Sequence, residues 1–141
     1  MEVKIRRADL RDYRDVSRLM GDLVGEPVGE REEMWRQALR MENYAAFVAE
    51  IKGKVVGFID LFYFPDVGHG ALLGYIQNLI VDQKFRGHGI GLRLIEKALE
   101  YTKEKGLHEI HVLTGFDNKV AIGVYEKAGF KRKYLCLEAE L

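Results

Sequence analysis

Gln77-Asn78-Leu79-Ile80-Val81-Asp82-Gln83-Lys84-Phe85-Arg86-Gly87-His88-Gly89-Ile90-Gly91-Leu92 is the stretch on which the reading of this chain turns. An apolar run with strand character stops at Asp82. A short polar turn follows, and then Arg86 precedes three glycines that alternate with other residues. Ile90, Leu94, Ile95, Ala98 and Leu99 recur after that at helical spacing. The first N–H groups of a helix have no partner within it, and the helix dipole adds partial positive charge there. Glycines remove the Cβ atoms that would hold an anion away from the backbone. The stretch therefore reads as a phosphate site at residues 86–91.

Several kinds of phosphate site can be separated by spacing. A P-loop needs Gly-Lys-Ser/Thr after its second glycine, and that tripeptide is missing. A dinucleotide fingerprint needs G-x-G-x-x-G, whereas Gly87, Gly89 and Gly91 form G-x-G-x-G and Leu92 follows. The next apolar run ends in Leu113-Thr114-Gly115, with no acidic residue for a ribose. What remains is Arg86-x-x-Gly89-x-Gly91 after an apolar strand. It resembles the acyl-CoA-binding motif of the GNAT (GCN5-related) N-acetyltransferase family.

Working outward, the 141 residues suit one domain with a sizeable core. Lys+Arg and Asp+Glu number 22 each, so no net field directs the chain to nucleic acid or to a membrane. No apolar run reaches the roughly 18 residues of a span, and Met1-Glu2-Val3-Lys4 lacks the apolar core of a signal peptide. The single Cys136 excludes an internal disulfide and fits a reducing cytoplasm. Three Asn and three Gln among abundant balanced charges point to a thermophilic source.

In chain order, Val3–Arg7 alternates as a strand and Asp9 is placed to cap a helix that runs to about Gly25. A loop over 25–29 precedes a shorter helix, Glu30–Met41, with Met34, Ala38 and Met41 on one side and Trp35 either in the core or in an acceptor groove. Phe47–Ile51 and Val55–Phe64 form a hairpin about Lys52-Gly53-Lys54. After the loop Pro65–Gly70 come a strand Leu72–Val81, a helix from about Gly89 to Lys105, and a strand His108–Thr114. Those last three form a βαβ unit, which predicts parallel strands with a right-handed crossover. Asp117 or Asn118 caps a short helix carrying Val120, Ala121, Val124 and Tyr125. Lys131–Leu141, with Leu135, Leu137 and Ala139 on one face, is expected to be a closing strand. The expectation is one α/β (α+β) domain over 1–141, with a mixed sheet of about six to seven strands and about four helices.

The GNAT resemblance extends over nearly the whole chain. It rests on Val81–Gly91 and on a second motif downstream, Asn118-x-x-Ala121-x-x-x-Tyr125-Glu126-Lys127-x-Gly129-Phe130. The resemblance implies an acetyl-CoA-dependent N-acetyltransferase, an acyltransferase for groups other than aminoacyl groups, in which the parallel strands 72–81 and 108–114 splay to admit pantetheine. It implies that amides of Arg86, Gly87, His88, Gly89, Ile90, Gly91 and Leu92 hold the CoA pyrophosphate. The edge of Leu79, Ile80 and Val81 would pair with pantetheine, and the Leu79 amide would polarise the thioester carbonyl. Asn118 would contact the cofactor arm, and Tyr125 would protonate the leaving thiolate. A homodimer also fits the family.

The chemistry agrees with these roles. A thioester is already activated, so direct transfer to a primary amine of a small molecule, protein or peptide needs orientation, an unprotonated amine and a proton for the thiolate. Cys136 has no marked base partner and reads as a small strand residue. The general base is unassigned. Many relatives carry a carboxylate where Tyr75 and Gln77 stand, which leaves Tyr75 or a water at the Gln77 position, His69, Asp60 or Glu26 as candidates. An alternative reading follows from that gap: an acyl-CoA-binding regulatory or interaction module with weak or no catalysis. His88 lies inside the motif, while His108 and His111 read as strand surface, and no spacing marks a metal site. Acceptor identity is expected to depend on 24–35, 62–71 and 131–136. Glu26, Glu30, Glu32 and Glu33 make the first of these acidic, and Phe62-Tyr63-Phe64 makes the second aromatic.

Overall fold

The computed structural model describes residues 1–24 and 31–141, with the side chains of 22–24 left aside. The acidic positions Glu26 and Glu30 and the loop 25–29 lie outside the described residues. The described elements run β1 (Lys4–Arg7), α1 (Tyr13–Val24), α2 (Glu32–Arg40), β2 (Tyr44–Ile51), β3 (Lys54–Asp66), β4 (Ala71–Val81), α3 (Ile90–Glu104), β5 (Glu109–Val112) and α4 (Lys119–Lys127). Short 3-10 turns at Leu10–Asp12 and Gln83–Phe85 lead into α1 and follow β4.

The strands form one mixed sheet in the order β1-β2-β3-β4-β5. The first three pairings are antiparallel, and β4 and β5 are parallel, as the βαβ reading requires. Alternation along β2 divides the core in two. Ala45, Phe47, Ala49 and Ile51 join Ile90, Leu94, Ile95 and Ala98 of α3 on one face. Tyr44, Ala46 and Val48 join Val16 and Leu19 of α1 and Trp35 of α2 on the other. Period-two strands presenting both faces to helices give this layered α/β arrangement. Gly57 permits the close approach of α3, because a Cβ there would stand 3.0 Å from Leu94 Cδ1 and 3.3 Å from Ile90 Cγ2.

Asp9 caps as expected: its carboxylate accepts from the Arg11 amide, and the Asp12 carboxylate accepts in turn from the Asp9 amide. Arg6 locks this corner to the sheet through Asp12 at 2.7 Å and Glu50 at 3.3 Å. In α2 the buried side differs from the expected stripe. Met34 and Met41 are exposed, while Trp35 is buried against Phe58 with ring centroids 5.8 Å apart. Trp35 thus belongs to the core.

The strand count is the main correction. Residues 130–141 belong to no helix or strand, so the sheet has five strands among the described residues instead of six to seven. Tyr134, Leu135 and Leu137 of this tail are exposed, and Cys136 is an exposed free thiol outside any strand. Alternating apolar residues give a segment the capacity to pair, but a strand exists only where a neighbour accepts its hydrogen bonds. Likewise β5 is shorter than the apolar run 108–114, because its ladder with β4 ends at Ile76↔Val112.

Candidate active site

The site is built where β4 outruns its parallel neighbour. The β4–β5 ladder spans Leu73↔Glu109 to Ile76↔Val112, whereas β4 stays paired with β3 as far as Val81↔Gly57. Residues 77–81 therefore keep one sheet edge open on the β5 side. A β-bulge begins the open stretch. Asp60 faces Asn78 and Leu61 faces Ile76, which leaves Gln77 without a partner. Bulges re-aim the groups that follow them.

Asp60 holds this bulge from behind. Its Oδ1 accepts from the Asn78 amide at 2.9 Å and from Asn78 Nδ2 at 3.0 Å, and its Oδ2 accepts from the Tyr44 hydroxyl at 2.6 Å. The carboxyl is 5% exposed. Burial raises it to about 6, against the pull of the hydrogen bonds from Tyr44 and Asn78. Burial likewise pushes the Tyr44 hydroxyl upward, with the Asp60 charge adding to it. The Asn78 amide thus points toward β3, as does that of Asp82, which donates to Val56 at 2.7 Å. Amide direction alternates along an extended strand, so the Leu79 amide points into the open edge. The Val81 carbonyl does too, and Arg86 Nε folds back to donate to it at 3.1 Å.

Beyond Val81, Asp82 shapes the turn. Its Oδ1 accepts from the Lys84 amide at 3.0 Å, and its Oδ2 pairs with Arg18 of α1 at 3.1 Å. The Lys84 amide, followed by Arg18 and against partial burial, holds the carboxyl below its usual range. Sequence reasoning did not single out the Arg18–Asp82 pair, because its members lie on separate elements. Gly87 and Gly89 take φ of +84° and +77°, a backbone region that side chains rarely occupy, and Gly89 is the N-cap of α3. Nothing lies within 4 Å of a Cβ built at either position. The backbone at both glycines therefore borders open space on the side a Cβ would occupy. Ile90 buries its side chain in the core, while Gly87, His88 and Gly89 are exposed. A cavity of about 290 Å³ lined by Leu19, Ile80, Val81, Asp82, Gln83 and Arg86 adjoins the turn.

Asn118 and Tyr125 come from α4. Asn118 caps that helix, its Oδ1 accepting from the Ala121 amide at 3.2 Å. Tyr125 is buried, with Phe130 against its ring at 5.3 Å, and burial holds its phenol above the ordinary tyrosine range. It therefore stays protonated at any physiological pH.

The base candidates separate in space. Tyr75 and Gln77 are exposed on β4, and Tyr75 stacks on Phe64 at 6.0 Å and contacts His111 at 5.1 Å. His69 lies between β3 and β4, at the opposite end of β4 from the glycine turn. Its Nδ1 pairs with Asp66 Oδ2 at 2.6 Å, and this bond raises its pKa and favours the protonated ring, the wrong state for a base. His108 is exposed just before β5, and His111 is half-buried within it. His108 Nε2 is 3.6 Å from Asp66, and His111 Nε2 is 3.4 Å from Glu109.

The arrangement suits a protein that takes an anion at a glycine turn and an extended ligand along a split pair of parallel strands. The Acetyltransferase (GNAT) family profile matches residues 7–130. An uncharacterized N-acetyltransferase of Methanocaldococcus jannaschii is 39% identical over 97 residues, 67% of this chain and 42% of that protein. The chain thus spans less than half the length of that relative. N-alpha-acetyltransferase 30 of Schizosaccharomyces pombe is 30% identical over 120 residues, 84% of this chain and 77% of that protein. An aminoglycoside acetyltransferase from an uncultured soil metagenomic sample, in complex with trehalose, shares the fold. Its TM-score is 0.88 at 24% identity, over 99% of this chain and 96% of that one.

The chain belongs to the acetyltransferase (GNAT) family, and N-acetyltransferase is its enzyme class.

Proposed function

We propose that this chain, as one domain over 1–141, uses acetyl-CoA to acetylate a primary amine of a small molecule, protein or peptide by direct transfer in a ternary complex. The observation that carries the reading is the open edge of β4 at 77–81 running into a turn whose Gly87, His88 and Gly89 are exposed. Amides from Arg86 to Leu92 hold the pyrophosphate, with the Gly87 and Gly89 conformations allowing close approach. Leu79, Ile80 and Val81 lie along pantetheine, and Asn118 meets its arm at the mouth, where Leu113, Phe116 and Val120 are exposed. The Leu79 amide polarises the thioester carbonyl.

The amine loses its proton to water held near Gln77 and Tyr75, and its lone pair attacks the carbonyl carbon. Collapse of the tetrahedral intermediate breaks the C–S bond, and Tyr125 gives its proton to the thiolate. Solvent then restores the phenol. Asp60 is engaged on both oxygens and acts by positioning the bulge rather than by touching the amine. Cys136 is an exposed free thiol that this scheme does not use. Exposed aromatic groups at Phe64 and Tyr75 supply a shelf for the acceptor.

A panel of amines with CoA thiol release as the readout tests the proposal: turnover with any acceptor supports it. Acetyl-CoA raises the melting temperature, whereas NAD and ATP do so much less, because ligand bound to the native state alone stabilises it. Turnover absent across the panel, with the acetyl-CoA shift intact, would favour the non-catalytic binding module, for which the missing carboxylate at Tyr75 and Gln77 speaks. A cytoplasmic location, a thermophilic source and a homodimer belong to the same proposal. No helix among the described residues is long and apolar enough to cross a membrane.

A further inference from the structure

The far end of β4 carries a cluster that the transfer scheme does not use. Asp66 closes β3, His69 lies in the turn after it, His108 immediately precedes β5 and Glu109 opens it. One ligand atom from each of the four lies within 4.8 Å of the other three. The two segments are held together by backbone. The Gly70 amide donates to Asp66 at 2.8 Å, closing the turn, and the His108 amide donates to Leu72 at 3.0 Å, fixing the entry to β5.

We propose that Asp66, His69, His108 and Glu109 form a binding site for a divalent transition-metal ion of the zinc class. Ligands bonded to Zn²⁺ at about 2.0–2.2 Å in a tetrahedron stand roughly 3.3–3.6 Å apart. His108 Nε2 is already 3.6 Å from Asp66 Oδ2 and 3.7 Å from Glu109 Oε1. His69 Nδ1 and Asp66 Oδ2 are 2.6 Å apart, a contact that the ion would replace. The remaining adjustment falls on exposed side chains, with His69 66% exposed at its side chain. Two carboxylates balance the charge of a divalent cation, and two imidazoles select first-row transition ions over Mg²⁺ and Ca²⁺, which favour oxygen alone. His111 Nε2, 3.4 Å from Glu109 Oε1, places a further imidazole beside that carboxylate.

The ion would tie the β3–β4 turn to the start of β5, at the closed end of the parallel pair whose other end is open. This inference is independent of the transfer reaction, and its test needs no turnover.

The full-length chain, stripped with a chelator and exchanged into metal-free buffer, is titrated with Co²⁺ as a spectroscopic probe. The expected result is one Co²⁺ per chain with the intense visible bands of four-coordinate geometry, displaced by Zn²⁺ and untouched by Mg²⁺. Zn²⁺ should also raise the melting temperature. His108→Ala and His69→Ala should each weaken Co²⁺ binding by about tenfold or more, in the range that perturbing a metal site causes. His88→Ala, on the far side of the βαβ crossover, should leave Co²⁺ affinity unchanged. His69→Ala lies in an exposed turn and keeps the test valid should His108→Ala misfold. Binding that both variants leave intact, competition by Mg²⁺, or no saturable Co²⁺ bands would overturn the site.

Discussion

The two ends of β4 offer different groups to a ligand. At the Val81 end the groups proposed to bind are amides: Leu79 aimed along the open edge, and the first turn of α3 behind Gly87 and Gly89. At the Ala71 end they are side chains, and they come from two segments some forty residues apart, Asp66–His69 and His108–His111. Backbone chemistry depends on a local run of residues, so neighbours in sequence suffice. Side-chain chemistry depends on which segments meet, so it is hidden until the strands are paired.

Four substitutions would break or sharpen this contrast. Gly89→Val has the largest expected effect. A β-branched residue is strained at φ +77° and its methyls fill the approach to the turn, so the acetyl-CoA thermal shift should disappear. An undiminished shift would mean that the ligand does not use this backbone. Tyr125→Phe should lower kcat by about 10²- to 10⁴-fold, the usual contribution of a positioned acid, while acetyl-CoA affinity stays near wild type. Unchanged turnover would remove Tyr125 from the reaction.

Asp60→Asn tests the support behind the bulge through pH. The folded carboxyl sits at about 6 and the unfolded one at 3.8. Its contribution to stability is complete below about pH 4 and is lost as pH rises through 6. Between pH 4 and 8 the variant should therefore gain on wild type, by on the order of 2–3 kcal/mol in urea unfolding. Parallel curves would show that Asp60 does not titrate in that window. His69→Gln should have the smallest effect on stability. In the metal-free chain the exposed Asp66–His69 pair contributes little, and the melting temperature should hold steady. A large drop would show that the pair itself fastens the turn.

Much of the glycine-turn end could be read from spacing. Arg86, Gly87, Gly89 and Gly91 after an apolar strand mark the turn that opens α3, and the family resemblance adds Asn118 and Tyr125 downstream. The same reading could not place the Arg18–Asp82 pair, nor the carboxyl of Asp60 under the bulge, since each joins residues distant in sequence. Nor could spacing along the chain mark Asp66, His69, His108 and Glu109 as a donor set. Only Asp66–His69 and His108–Glu109 are sequence neighbours, and neither pair alone makes a site. The tail erred in the other direction, for Leu135, Leu137 and Ala139 alternate as a strand should but meet no ladder.

By itself, then, the sequence determined the order of elements from β1 to α4, the parallel β4–α3–β5 step and the turn that opens α3. Periodicity, caps and glycines act over a few residues, and the chain carries those terms wherever it goes. Tertiary structure alone decided where the β4–β5 ladder ends, which carboxyl lies beneath Asn78, and which histidines face which acids. Those outcomes depend on registers between strands, and a register is a property of two segments at once.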